Sequence, residues 1–164
     1  STNYASWGTF ATGVFFFIMF IGGWAGSTTC SIKIFRYQVL YQTAKRQMKH
    51  LIHPHGVFIP TFNDKPITDE IENSVMSFFY LFILTFAVIA GLLHFVGLDF
   101  MTAVTGAATA ICNVGPALGE IIGPSGNFAS LPDSAKWILS AGMLLGRLEL
   151  FTVLVLFAPW FWRG

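Results

Sequence analysis

The sequence predicts an all-α membrane protein: a helix–pore-loop–helix repeat, preceded by one broken transmembrane helix that contains an intramembrane loop. Three observations carry this prediction. Hydrophobic residues make up 54% of the chain and charged ones 10%, with a mean hydropathy of +0.65, which suits lipid as the solvent rather than water. Phenylalanine alone supplies 18 residues, some in runs such as Phe15-Phe16-Phe17 that would aggregate in water. Between two long apolar segments lies Asp99 to Gly119, too rich in Thr, Ala and Gly for a spanning helix and too apolar for an ordinary loop.

The first helix is expected over 6–21. At ~1.5 Å per residue it reaches about 24 Å, short of the roughly 30 Å hydrocarbon core. It breaks within the membrane, toward the cytoplasmic face, at Gly22-Gly23-Trp24-Ala25-Gly26-Ser27-Thr28-Thr29-Cys30. A second helical stretch, 31–49, follows. Three glycines with Ser and Thr hydroxyls make a flexible polar plug. From the residues alone, a gate and a helix kink whose hydroxyls cap freed carbonyls are both open readings.

A cytoplasmic connection is expected over 50–73, with Pro54, Pro60 and Pro66. His50, His53 and His55 have a spacing that can bind metal, but Pro54 intervenes and no Cys or carboxylate is near, so no metal is expected. Thr68 followed by Asp69, Glu70 and Glu72 reads as a helix start, with Thr68 capping. A spanning helix, 74–96, is next. His94 near its outer end needs no functional explanation.

The stretch 99–118 is read as re-entrant. Phe100 to Ala110 makes a short helix about half a bilayer deep, and the chain returns through Ile111-Cys112-Asn113-Val114-Gly115-Pro116 as extended backbone. Irregular backbone at that depth is tolerated only where protein buries it or water fills a path beside it. Glycine frees the backbone to aim a carbonyl, Pro116 stiffens the exit, and the helix brings its partially negative end to the same place. These features suit a dehydrated monovalent cation, and Val114-Gly115 resembles the V-G step of the potassium-channel filter. A glycine-kinked buried loop without an ion remains the alternative on these residues alone.

An outer loop, 119–133, leads to a last helix, 134–158, which ends in the interfacial run Pro159-Trp160-Phe161-Trp162-Arg163. Arg147 lies about 18 Å along this helix. A lone arginine at that depth costs at least about 2.5 kcal/mol unless it faces a polar interior. Glu149 is on another helical face, so the glycine-rich break is the expected partner.

Charge placement orients the chain. Lys33, Arg36, Lys45, Arg46 and Lys49 occur with no acid among them, which puts 31–75 in the cytoplasm, whereas Asp99, Glu120 and Asp133 mark an outer, cation-attracting face. Cys30 and Cys112 are expected to be small buried residues without a disulfide. Ser1 has no initiator Met before it, and no signal-peptide pattern follows, so the sequence is read as a piece of a longer protein. Phosphate-loop and nucleophile-elbow spacings are absent, as are a carboxylate dyad at membrane depth and a nucleophile with its base. No catalytic residue, enzyme activity or nucleic-acid partner is expected. Besides a cation pore, a non-conducting docking or assembly module for a cytosolic regulatory partner is the competing reading.

Three motifs carry a family resemblance. Gly22-Gly23-Trp24-Ala25-Gly26-Ser27-Thr28 with Ile32-Lys33 resembles the third-repeat gating loop of the Trk/Ktr/HKT potassium-transporter superfamily. Asn113-Val114-Gly115-Pro116 resembles its fourth-repeat filter. Met143 to Glu149, M-L-L-G-R-L-E, with Phe161-Trp162-Arg163, resembles the last helix of the bacterial TrkH-like transmembrane subunit. The resemblance implies that 1–49 ends a third repeat and 74–164 forms a fourth, and that Cys112, Asn113, Val114 and Gly115 line a potassium filter. Gly22, Gly23, Ala25, Gly26, Ser27, Thr28, Thr29 and Cys30 would occlude the path beneath it, and Arg147 would hold that loop or repel ions near it. It further implies a multi-pass subunit of the bacterial inner membrane, in contact with lipid, working as a homodimer on a cytosolic TrkA-like regulatory subunit that alone carries any nucleotide. Where the family usually has further glycines, this chain has Thr29-Cys30-Ser31, which implies a stiffer loop.

Overall fold

The computed structural model describes residues 7–23, 30–53, 56, 61–62, 65–119, 121–123 and 125–148. Five helices account for most of them: α1 (Thr9–Met19), α2 (Ile34–Ile52), α3 (Asp69–Phe95), α4 (Phe100–Cys112) and α5 (Asp133–Arg147). A short antiparallel ribbon of β1 (Thr61–Phe62) and β2 (Lys65–Pro66) lies in the connection before α3.

α3 is the described helix long and apolar enough to cross a membrane, with α1 and α4 shorter apolar helices. It begins five residues before the expected 74–96. The acidic start and the apolar span are one continuous 27-residue helix. Asp69, Glu70 and Glu72 occupy its first turn, where negative charge meets the positive end of the helix dipole. Thr68 holds the N-cap position but makes no side-chain cap bond; its carbonyl instead accepts from the Glu72 amide at 3.1 Å. Along the span, Tyr80, Ile83, Val88 and Phe95 are exposed on this chain, whereas Phe78, Phe82, Ile89 and Leu93 turn inward.

All four share one core with residues of α4. From Thr102 to Cys112 every residue of α4 except Val104 is buried. This explains the composition of the stretch: Ala, Gly and Thr let neighbouring backbones approach closely, and apolar helices in lipid associate by such packing rather than by expulsion of water. α5 answers with small residues of its own. A Cβ on Gly142 would lie 3.0 Å from Ile89 Cδ1 and 3.3 Å from Ala110 Cβ, and one on Gly146 would overlap the Ile111 carbonyl oxygen.

α2 is tied to α3 at the end opposite α4. Arg46 Nη2 donates to Glu72 Oε1 at 2.9 Å and lies 2.7 Å from Oε2. Farther along, the Arg36 guanidinium carbon sits 3.8 Å from the centroid of the Phe78 ring, a cation–π contact between the same helices.

α1 and α2 are two arms of an interrupted helix. Ile21 and Ile32 form a parallel bridge, so the chain has the same local direction before and after the loop. Three backbone bonds close its base: Ile32 N to Phe20 O at 3.2 Å, Gly22 N to Ile32 O at 2.9 Å and Ile34 N to Gly23 O at 3.2 Å. These bonds correct the expected boundaries. The first helix ends at Met19 and the second starts at Ile34 rather than 31, because the backbone of 20–23 and 31–34 is engaged in pairing.

Candidate functional site: the turn after α4 and the break after α1

The turn is built by the end of α4. The helix runs through Cys112, two residues beyond the expected Ala110, and ends on Asn113 in the left-handed conformation with φ 52°. Asparagine tolerates that conformation better than most side-chain-bearing residues. Gly115 follows with φ 108°, a backbone geometry that glycine adopts without penalty. Ile111 and Cys112 are therefore helical, and the non-helical return begins at Val114, whose amide still donates to Thr109 O at 3.2 Å.

Hydroxyls of α4 hold this return. Gly115 N donates to Thr109 Oγ1 at 3.0 Å, and the same hydroxyl donates to Pro116 O at 3.3 Å. One turn earlier, Thr105 Oγ1 lies 2.7 Å from Met101 O and 3.0 Å from Leu118 O. At the start of α4, Asp99 accepts from the Thr102 amide at 3.0 Å. Hydrogen bonds from the Thr102 side chain first, and from its amide second, hold the Asp99 carboxyl below its ordinary range. Sequence reasoning missed Thr105 and Thr109. Their signal is the spacing Thr102, Thr105, Thr109, which puts three hydroxyls along one side of an otherwise apolar, Ala-rich helix.

Of the expected filter residues, Cys112 is buried, while Asn113, Val114 and Gly115 are exposed on the surface of this chain. Asn113 also reaches α5, its Nδ2 donating to Met143 O at 3.0 Å. Val114, Asn113 and Pro116 line a cavity of about 280 Å³ together with Cys112, Ser31, Ile21 and the end of α1 at Phe15, Ile18 and Met19. The turn and the break in the first helix thus share one wall.

Gly22, Gly23 and Cys30 stand at the two ends of the expected gating loop. Ala25, Gly26, Ser27, Thr28 and Thr29, with Trp24, lie outside the described residues. Gly22 has no room for a side chain, since a Cβ there would sit 2.9 Å from Ser31 O. Arg147 is the last residue of α5, and its Nη1 donates to Cys30 Sγ at 3.5 Å. The structure therefore brings Arg147 to the Cys30 end of the loop; the carbonyls of 24–29, among its expected partners, lie outside the described residues. Cys30 and Cys112 are both free thiols, Cys112 buried and Cys30 half-buried. No cluster of His, Cys, Asp and Glu able to hold a metal occurs among the described residues. His55, Glu120, Glu149, the remainder of the expected last helix and the aromatic ending at 159–163 lie outside them.

Comparison with known proteins gives a consistent picture. Residues 1–163 match the family model described as TrkH, cation transport protein. The chain is similar to the Trk system potassium uptake protein TrkI of Halomonas elongata, 53% identical over 99% of this chain and 33% of that protein. It is also similar to TrkH of Salmonella typhimurium, 38% identical over 97% of this chain and 32% of that protein. In the crystal structure of the potassium transporter TrkH from Vibrio parahaemolyticus, the similarity has a TM-score of 0.90 at 36% identity and covers 99% of this chain and 34% of the other. The chain spans about a third of the length of these relatives.

Proposed function

This chain belongs to the TrkH family of cation transport proteins, and on that premise we propose that it supplies a quarter of the filter, and the gate beneath it, in a potassium-uptake subunit. The observation that carries the reading is the cavity shared by the turn after α4 and the break after α1. Cys112, Asn113, Val114 and Gly115 are assigned to the filter. The positive φ angles at Asn113 and Gly115 are the kind of backbone that can present successive carbonyls to one axis. Asn113 to Gly115 lie on the surface of this chain, as a segment must when other segments complete the ring around the ion.

The gate is assigned to Gly22 through Cys30, hung between a hydrogen-bonded base and Arg147. The arginine contributes a fixed positive charge next to the loop, which both anchors it and raises the energy of a cation passing close by. The work is that of a conduit, with no bond made or broken. The subunit is assigned to the bacterial inner membrane as a homodimer that acts with a cytosolic TrkA-like nucleotide-binding partner; that its relatives are named as proteins of a Trk system supports a system of more than one component.

The test is potassium uptake by uptake-deficient cells that express the intact protein carrying this chain. Gly115→Ser should abolish uptake or change the ion preference, and Arg147→Ala should change the rate. If both variants match wild type, the pore lies elsewhere and this region is a docking or assembly module.

A further inference from the structure

Ser31 is assigned to neither the filter nor the gate above, yet it occupies the contact between the break and the filter turn. It is 3% exposed. Its Oγ lies 2.9 Å from Met19 O and 3.4 Å from Cys112 O. Met19 and Cys112 are the last residues of α1 and α4, and the final carbonyls of a helix have no intrahelical donor. One hydroxyl proton therefore faces two carbonyls and satisfies one at a time.

We propose that Ser31 is a positioning residue that couples the intramembrane break to the inner end of the filter, by dividing its single proton between the carbonyls of Met19 and Cys112. The inference rests on the assignment of Cys112 to the filter. A proton donated to Cys112 O draws on the electron density of that oxygen and makes it a weaker cation ligand. Donated to Met19 O, the nearer acceptor, it leaves the Cys112 oxygen for the ion. Ser31 follows Cys30 directly, and Cys30 accepts from Arg147. A displacement of that end of the loop moves the hydroxyl along the line between its two acceptors and resets cation affinity at the filter. The loop thus acts on ion choice as well as on passage.

The experiment compares wild type, Ser31→Ala and Tyr37→Phe in the intact protein reconstituted into proteoliposomes, measuring potassium flux and the potassium-to-sodium ratio. Tyr37 donates to Phe20 O at 3.2 Å, so its variant removes a bond at the same joint from the carbonyl next to Met19. Ser31→Ala should change the ion ratio by about three- to tenfold, the factor expected for one net hydrogen bond. Tyr37→Phe should change the rate and leave the ratio within about twofold, less than one such bond is worth. Ser31→Cys has the same shape with a weak S–H donor, and it carries the same test if the alanine variant does not reach the membrane. A conducting wild type whose ratio Ser31→Ala reproduces would overturn the inference alone, as would a Tyr37→Phe ratio shifted as far as that of Ser31→Ala. A wild type that carries no potassium would overturn the filter assignment and the inference together.

Discussion

Thr109 and Gly115 are joined by a hydrogen bond of 3.0 Å from the glycine amide to the threonine hydroxyl, which also donates to Pro116 O. One buried side chain on α4 thus fixes both peptide groups at the apex of the exposed turn. Thr109→Val keeps the shape and removes both bonds. It should cost about 1–3 kcal/mol, because a donor and an acceptor lose a common partner. Thermal unfolding of the purified protein in detergent should show the loss, and ion flux should show weakened potassium preference. Thr109→Ser should keep the bonds and most of the preference. A valine variant with wild-type stability would mean that the turn is held by other contacts.

Close packing of α4 on α5 makes a second prediction. A Cβ at Gly146 would overlap the Ile111 carbonyl oxygen, whereas one at Gly91 on α3 would meet nothing within 4 Å. Gly146→Ala should therefore force the helices apart at the C-terminal end of α4 and destabilise the protein by about 1–3 kcal/mol. Gly91→Ala should be neutral or gain a few tenths of a kcal/mol through helix propensity. Equal unfolding temperatures for the two variants would contradict the packing described.

Asp99 makes the start of α4 sensitive to acid. Its carboxyl is held below the ordinary value of 3.8 by the Thr102 side chain and amide. Because the folded pKa is the lower one, the folded state favours the ionised form. The contribution is complete above 3.8 and is lost as pH falls below 3.8 through the folded value. Asp99→Ala should remove this part of the acid dependence. Unfolding temperature against pH for the two proteins is the measurement, and parallel curves in the acid range would refute the capping role.

The Arg46–Glu72 pair links α2 to the start of α3, with side chains 27% and 12% exposed. A double-mutant cycle with alanine at each position should give a coupling of about 1–2 kcal/mol, between the values for exposed and buried pairs. The coupling should shrink as salt is added, since the arginine keeps some contact with solvent. A coupling near zero would assign the α2–α3 contact to Arg36 on Phe78 and the apolar residues around it.

The gross plan was legible in the sequence because it depends on solvent and local geometry. A chain this apolar must satisfy its backbone within helices. The Thr-Ala-Gly stretch cannot behave as an ordinary span, and an arginine in an apolar helix must reach polar atoms. These arguments located the re-entrant turn and the break, and directed Arg147 toward the break. They did not locate the ends of helices. α4 runs on through Ile111 and Cys112, and α2 starts late at Ile34, because partners elsewhere in the chain decide which backbone groups are free to be helical.

The sequence by itself determined that this is a helical membrane protein with a glycine-marked turn and a glycine-rich break. Hydropathy, spacing and the conformational freedom of glycine are properties of neighbouring residues and are written locally. Only the tertiary structure decided that Ser31 faces the carbonyls of Met19 and Cys112, that Thr109 holds Gly115, and that Gly146 lies against Ile111. Hydrogen bonding and steric exclusion act over a few ångströms. Residues such as Ser31 and Cys112, 81 positions apart, come within that range only after α1, α4 and α5 have packed together.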